Sequence, residues 1–177
     1  MRLAGLGLAV ALAVAGPAAA SGFRLSSADL PDGGRIADVH VNRDCSGGDL
    51  SPALAWSGAP AATRSFAITI HDPDAPKAGG WWHWLAFDIP ASTAGVPRGA
   101  AGGGLPAGAR QGRNDYGNNG YDGPCPPPGP AHRYIVTLWA LDVGRLAAAA
   151  GLAPGDLAAQ LQAHALDHVT LVGIYGR

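Results

Sequence analysis

The chain has 177 residues, of which 47% are hydrophobic and 14% charged. That is the length of one domain with enough apolar surface to bury a core, so a disordered chain is excluded. A net charge of −1 and a pI near 6.6 exclude binding to nucleic acid by phosphate neutralisation, and Gly 27 with Pro 15 exclude a mainly helical protein. All 13 acidic residues are Asp, and Lys77 is the one lysine among 12 basic residues. That skew reads as base composition rather than chemistry.

Taken in chain order, the first segment is an address. Arg2 precedes an apolar run over 3–14 that is broken by Gly16 and Pro17. Ala18-Ala-Ala20 then forms an A-x-A cleavage site. The run falls short of the ~20 residues that cross a bilayer. Residues 1–20 are therefore expected to be a cleaved signal peptide, Ser21 the first mature residue and 21–177 one exported domain with no membrane span. Removing Arg2 leaves a mature charge of 11 − 13 = −2.

Weak strands are expected near 23–27 and 36–41. Strands with β-branched and aromatic residues between turn signals are expected at 65–70, 84–89, 133–141 and 170–175. Residues 99–108, rich in Gly and Ala, read as a mobile loop. Residues 112–131 have no periodicity but are dense in Asn, Asp, Tyr, Gly and Pro, which suits an ordered functional loop. A short helical turn is expected at 145–150. One helix follows, with Asp156 as cap and Leu157, Leu161 and Leu166 near one face.

Three segments carry possible chemistry. Asp72-Pro-Asp-Ala-Pro76 is a stiff corner that holds two carboxylates at a strand end, since each proline removes a donor and restricts the residue before it. Asp74 in a turn bonding its own backbone is the structural alternative. In Gly80-Trp-Trp-His-Trp84, alternation places His83 on the face opposite Trp82 and Trp84, either as a core histidine or as a ligand contact. In His132-Arg-Tyr134, alternation places His132 and Tyr134 on one face and Arg133 on the other, where it suits an ion pair. If the segments converge, the imidazoles donate to an anion such as phosphate, while the carboxylates hold an attached amine or orient the imidazoles. Cys45 and Cys125 in an exported chain are expected to form a disulfide.

Asp72-Pro-Asp-Ala-Pro76, Trp82-His-Trp84, Gly120-Tyr-Asp-Gly-Pro-Cys-Pro-Pro127 and His132-Arg-Tyr134 occur in this order. Ser51-Pro-Ala-Leu-Ala-Trp56 and Leu171-Val-Gly-Ile-Tyr175 flank them. Together they resemble the phosphatidylethanolamine-binding protein family, in its bacterial Raf-kinase-inhibitor-like branch, over about residues 23–177. The resemblance implies a mainly β fold: a β-sandwich with a large central antiparallel sheet, Greek-key connections and a helix near the C-terminus. It implies an anion pocket lined by Asp72, His83, His132 and Tyr134, walled by Pro126 and Pro127, with Asp74 close behind. Eukaryotic relatives use a further C-terminal tyrosine, and whether Tyr175 takes that place stays open.

The leading reading is a binding module for a phosphate-bearing small molecule or lipid headgroup, with no cofactor and no metal. The alternative is a surface-acting inhibitor, with an extracytoplasmic protease as the more sensible partner than a kinase. A hydrolase is the least favoured: H-E-x-x-H and G-x-S-x-G spacings are both missing from the sequence.

Overall fold

The structure is a computed structural model that describes residues 22–147 and 152–177. The expected signal peptide lies outside these residues, as does the second half of the helical turn expected at 145–150. Residues 145–147 are not helical.

Among the described residues eight strands form two antiparallel sheets. A small sheet joins β1 (Arg24–Ser26), β2 (Leu54–Ser57) and β5 (Gly95–Val96). A five-stranded sheet joins β3 (Ser65–Asp72), β4 (Trp81–Pro90), β6 (Arg110–Gln111), β7 (His132–Leu141) and β8 (Ala165–Tyr175) in the order β6-β4-β3-β7-β8. Within this sheet β3, β4 and β6 follow one another side by side, with β5 crossing to the small sheet between the last two, and β7 then returns to pair with β3 on its other edge. That is a Greek key. Its long return connection is 112–131, the loop read from sequence as functional.

Both faces of the large sheet are covered, which explains why β3 reads as a continuous apolar run rather than an alternating one. One face carries Ile68, Ile70, Trp84, Tyr134, Val136 and Leu138 against Phe23, Leu54 and Trp56 of the small-sheet side. The other carries Ala67, Leu85 and Phe87 against Leu157 and Leu161 of the helix α1 (Pro154–His164).

Four expectations are corrected. Residues 36–41 are not a strand: Asp38–His40 form a 3-10 turn, and the preceding chain runs beside β8 through backbone bonds at Gly33, Gly34 and Ile36 around the Arg35–Ile174 bridge. Asp156 does not cap α1. The N-cap is Ala153, and Pro154 opens the helix with φ already suited to it. Leu166 is in β8, not on the helix, and is 40% exposed. The loop at 99–108 includes a 3-10 turn, Ala100–Gly102, tied down by bonds from Gly99 N to Ser51 O and from Ala101 N to Ser51 Oγ. Among the described residues no helix is long and apolar enough to cross a membrane.

Candidate ligand-binding site

The three sequence segments converge at one end of the face beneath the small sheet. Asp72 ends β3, Trp81 and His83 begin β4, and His132 and Tyr134 begin β7. Asp72 pairs in register with Trp81, so neighbouring strand ends bring these side chains together. A cavity of about 280 Å³ is lined there by Asp72, His83, His132, Tyr134, Trp81 and Tyr116, with Pro126 and Pro127 on its wall.

A β-bulge sets the position of His83. Along β3, Ile70 and His71 are consecutive, but their partners on β4 are Trp84 and Trp82. His83 is the extra residue, and the alternation slips by one across it. Trp84 consequently joins the core face with Ile70, whereas Trp82 packs with the cluster on the helix side. This corrects the expectation that Trp82 and Trp84 share a face opposite His83.

Both imidazoles are fixed through Nδ1. His132 Nδ1 donates to Asp72 Oδ2 at 2.7 Å. His83 Nδ1 donates to the Asp122 carbonyl at 2.7 Å. The second Asp72 oxygen, Oδ1, accepts from Asp74 N at 2.8 Å, so Asp72, rather than Asp74, makes the turn of the Asp-Pro-Asp corner. His83 is 2% exposed, and burial lowers its pKa against the opposing pull of nearby carbonyls and carboxylates. Burial, with Asp72 close by, pushes the Tyr134 phenol far up, and burial with Asp122 pushes Tyr116 up to about 12. Both hydroxyls therefore stay protonated and can donate. Trp81 adds a buried indole N–H with no acceptor among the described residues.

The carboxylates around the cavity are paired within the protein. Asp74 lies outside the lining and holds Arg133 by its guanidinium, at 2.7 and 2.9 Å, and by its backbone N–H. Those bonds draw the Asp74 carboxyl down to about 2. At the rim Asp115 holds Lys77 Nζ at 2.6 Å and Trp82 N at 2.8 Å. Of the two roles expected for the carboxylates, Asp72 takes the orienting one.

The proline wall is anchored on several sides. Cys45 and Cys125 form a disulfide, with Cα atoms 5.6 Å apart. The Pro124 carbonyl accepts from Asn42 N, Gly123 N donates to Asp49 Oδ1, and Arg177 Nε donates to the Pro126 carbonyl. Gly123 is required at its position, because a Cβ there would lie 2.1 Å from the His40 carbonyl oxygen. Tyr175 does not line the cavity. It faces a separate shallow cleft, under the Arg35 guanidinium 5.5 Å from its ring centroid. Sequence reasoning missed Trp81 and Lys77. The signals for them were slight: a second tryptophan at the strand start, and the only lysine.

The sequence profile of the family described as phosphatidylethanolamine-binding protein matches residues 26–176. The chain belongs to the phosphatidylethanolamine-binding protein family. It is 39% identical over 157 residues to the UPF0098 protein YbhB of Escherichia coli, covering 86% of this chain and 99% of YbhB. It is 44% identical over 135 residues to YbcL of the same organism, covering 73% of this chain and 74% of YbcL. The crystal structure of YbcL, described as a new member of the mammalian family, superposes with a TM-score of 0.85 at 37% identity, over 88% of this chain and 98% of YbcL. CT736 of Chlamydia trachomatis, described as a putative homologue in this family, matches with a TM-score of 0.76 at 28% identity, over 89% of this chain and 99% of CT736.

Proposed function

We propose that this family member is an exported binding module whose pocket takes a phosphate or a phosphoryl headgroup, and that it is not an enzyme. The observation that carries this is the pairing pattern. Asp72, Asp74 and Asp115 each already hold a cation or an imidazole, while the Trp81 N–H has no acceptor among the described residues and the Tyr116 and Tyr134 hydroxyls line the cavity, Tyr116 with a long 3.4 Å bond to the Gly123 carbonyl and Tyr134 beside Asp72. A small cavity rimmed by donors and lacking an uncommitted carboxylate suits an anion. It offers no strong site for an ammonium, so the phosphoryl group supplies the affinity and an attached amine adds little. The phenols sit too high in pKa to serve as bases near neutrality, which favours binding over proton-transfer chemistry. Export is supported by the leader-like first 20 residues and by the disulfide, since such bonds persist in oxidising compartments.

Calorimetric titration with phosphoethanolamine, inorganic phosphate and ethanolamine tests the reading. The first two are expected to bind with similar affinity and ethanolamine not at all. Binding of ethanolamine alone, or of none of the three, would contradict it.

A further inference from the structure

We infer that His83 acts as a hydrogen-bond acceptor in the pocket, and that the site therefore selects anions that bring a proton, hydrogen phosphate and phosphomonoesters, over aprotic anions such as sulfate and phosphodiesters. The inference rests on the phosphoryl reading and narrows it.

The geometry of the ring leads to this assignment. The partner of His83 Nδ1 is the Asp122 carbonyl, at 2.7 Å. A carbonyl only accepts, so Nδ1 carries a hydrogen. A neutral imidazole has one such hydrogen, which leaves Nε2 as a bare lone pair. His83 lines the cavity, and Nδ1 is the ring nitrogen turned away to the Asp122 carbonyl. Nε2 is the ring nitrogen left to meet a ligand.

The surroundings keep the ring neutral. Facing it are Asp72 from β3, His132 and Tyr134 from β7, and Tyr116 and Asp122 from the 112–131 connection. The Tyr134 and Tyr116 rings lie 5.1 and 5.7 Å from the His83 ring, centroid to centroid. Further out are the Lys77–Asp115 pair at the rim and Asp49, which holds Gly123 N. The facing carboxylates are already engaged: Asp72 with His132 and Asp74 N, and Asp122 with Asn114 and Asn118. Burial dominates and holds the His83 pKa below that of a free histidine.

An anion with lone pairs alone meets a lone pair at Nε2. It binds only if His83 is charged at the cost of its burial. A ligand with a P–OH group donates to Nε2 directly and avoids that cost. Phosphomonoesters hold such a proton up to a second pKa of about 6, whereas sulfates and diesters have none near neutrality. Charge alone predicts the reverse order, since at mildly acidic pH sulfate carries more negative charge than phosphate.

The test is calorimetry of the protein with inorganic phosphate and with sodium sulfate, two ions of one shape, at about pH 5.5, below the second pKa of a phosphomonoester. Phosphate is expected to bind at least ~10-fold more tightly. Sulfate binding is expected to take up a proton, read from the dependence of its heat on the ionisation enthalpy of the buffer. Phosphoethanolamine should outrank glycerophosphoethanolamine in the same way. His83→Gln, which can place an amide N–H at this position, should bring the two ions to within about twofold. If that variant does not fold, the wild-type ranking decides the matter, together with a nitrogen-15 spectrum showing His83 protonated at Nδ1 and bare at Nε2. Sulfate bound as tightly as phosphate without proton uptake would overturn the inference and leave the pocket reading intact. Failure of both ions to bind would overturn both.

Discussion

Asp72 and His132 are 60 residues apart in sequence, yet the carboxylate of one fixes the imidazole of the other at 2.7 Å. The same carboxylate closes the turn that stiffens its own corner, through its bond from Asp74 N. One side chain, 3% exposed, thus shapes the strand end and sets the ring that faces the cavity. This is why Asp72 cannot be exchanged for an isosteric amide without loss.

Asp72→Asn keeps the shape but replaces an oxygen acceptor by an N–H₂ donor. Where that group faces His132 it opposes the imidazole N–H and pushes the ring to its other tautomer. A buried charge-assisted hydrogen bond is worth about 1.5–3 kcal/mol. Urea unfolding is expected to show a loss in this range, and phosphate affinity should drop roughly tenfold. Unchanged affinity would show that the orientation of His132 does not matter for binding.

Asn114→Ala tests the support beneath His83. Asn114 is 3% exposed. Its Nδ2 donates to Asp122 Oδ2 at 2.6 Å and to the Gly120 carbonyl at 3.1 Å, and its Oδ1 accepts from Tyr116 N and Asn118 N, each at 3.0 Å. Truncation removes four bonds to part-buried groups of the loop and frees the segment whose Asp122 carbonyl holds His83. The expected cost is about 2 kcal/mol or more in unfolding free energy. Weaker phosphate binding should accompany it. A variant as stable as the parent would show that the loop is held by its other bonds.

Acid titration follows from Asp74 and Arg133. The folded-state pKa of Asp74, about 2, lies below the ordinary 3.8 because the guanidinium bonds the carboxylate. A group depressed on folding stabilises the protein above its unfolded value, and that contribution disappears as pH falls through the folded one. The difference in urea midpoint between the parent and Asp74→Asn should be constant above about pH 5 and close between about pH 4 and pH 2. A difference that does not change with pH would mean the pair contributes through packing alone.

The Cys45–Cys125 bridge closes a separation of 80 residues beside the proline wall. In the chain-entropy account, a crosslink of that span is worth about 4 kcal/mol. Cys45→Ser with Cys125→Ser should lose stability of that order and loosen phosphate binding, because the bridge ties residue 125 next to Pro126 and Pro127. Alkylation without reductant, read by intact mass, should add no label to the parent. Two labels would contradict the bridge.

The long strands of the large sheet and the segments that meet at the cavity were legible because each signal is local. The two prolines in Asp72-Pro-Asp-Ala-Pro76 stiffen a corner whatever surrounds it, and the β-branched runs of β3 and β7 announce themselves. What escaped reading depends on partners distant in sequence. The bulge at His83 exists only in the pairing of β4 with β3, so strict alternation misplaced Trp82 relative to Trp84. Residues 36–41 look like a strand, but the pairing with the edge of β8 runs over Gly33–Ile36 and stops there, and Asp38–His40 turn away as a 3-10 turn. Leu166 lies five residues after Leu161, off the helical repeat of three or four, and the helix stops at His164 before the chain enters β8 at Ala165. The pairing of Asp74 with Arg133 and of Lys77 with Asp115 is likewise tertiary and is not readable from local sequence.

The most direct test of the central claim is a backbone amide NMR titration with phosphoethanolamine, run on the parent and on His132→Ala. Saturable shifts are expected around Asp72, His83, His132 and Tyr134, and these should be lost in the variant while its other resonances stay folded. Absence of shifts in the parent at millimolar ligand, or shifts confined to surface loops away from the cavity, would contradict the assignment of this pocket as the working site.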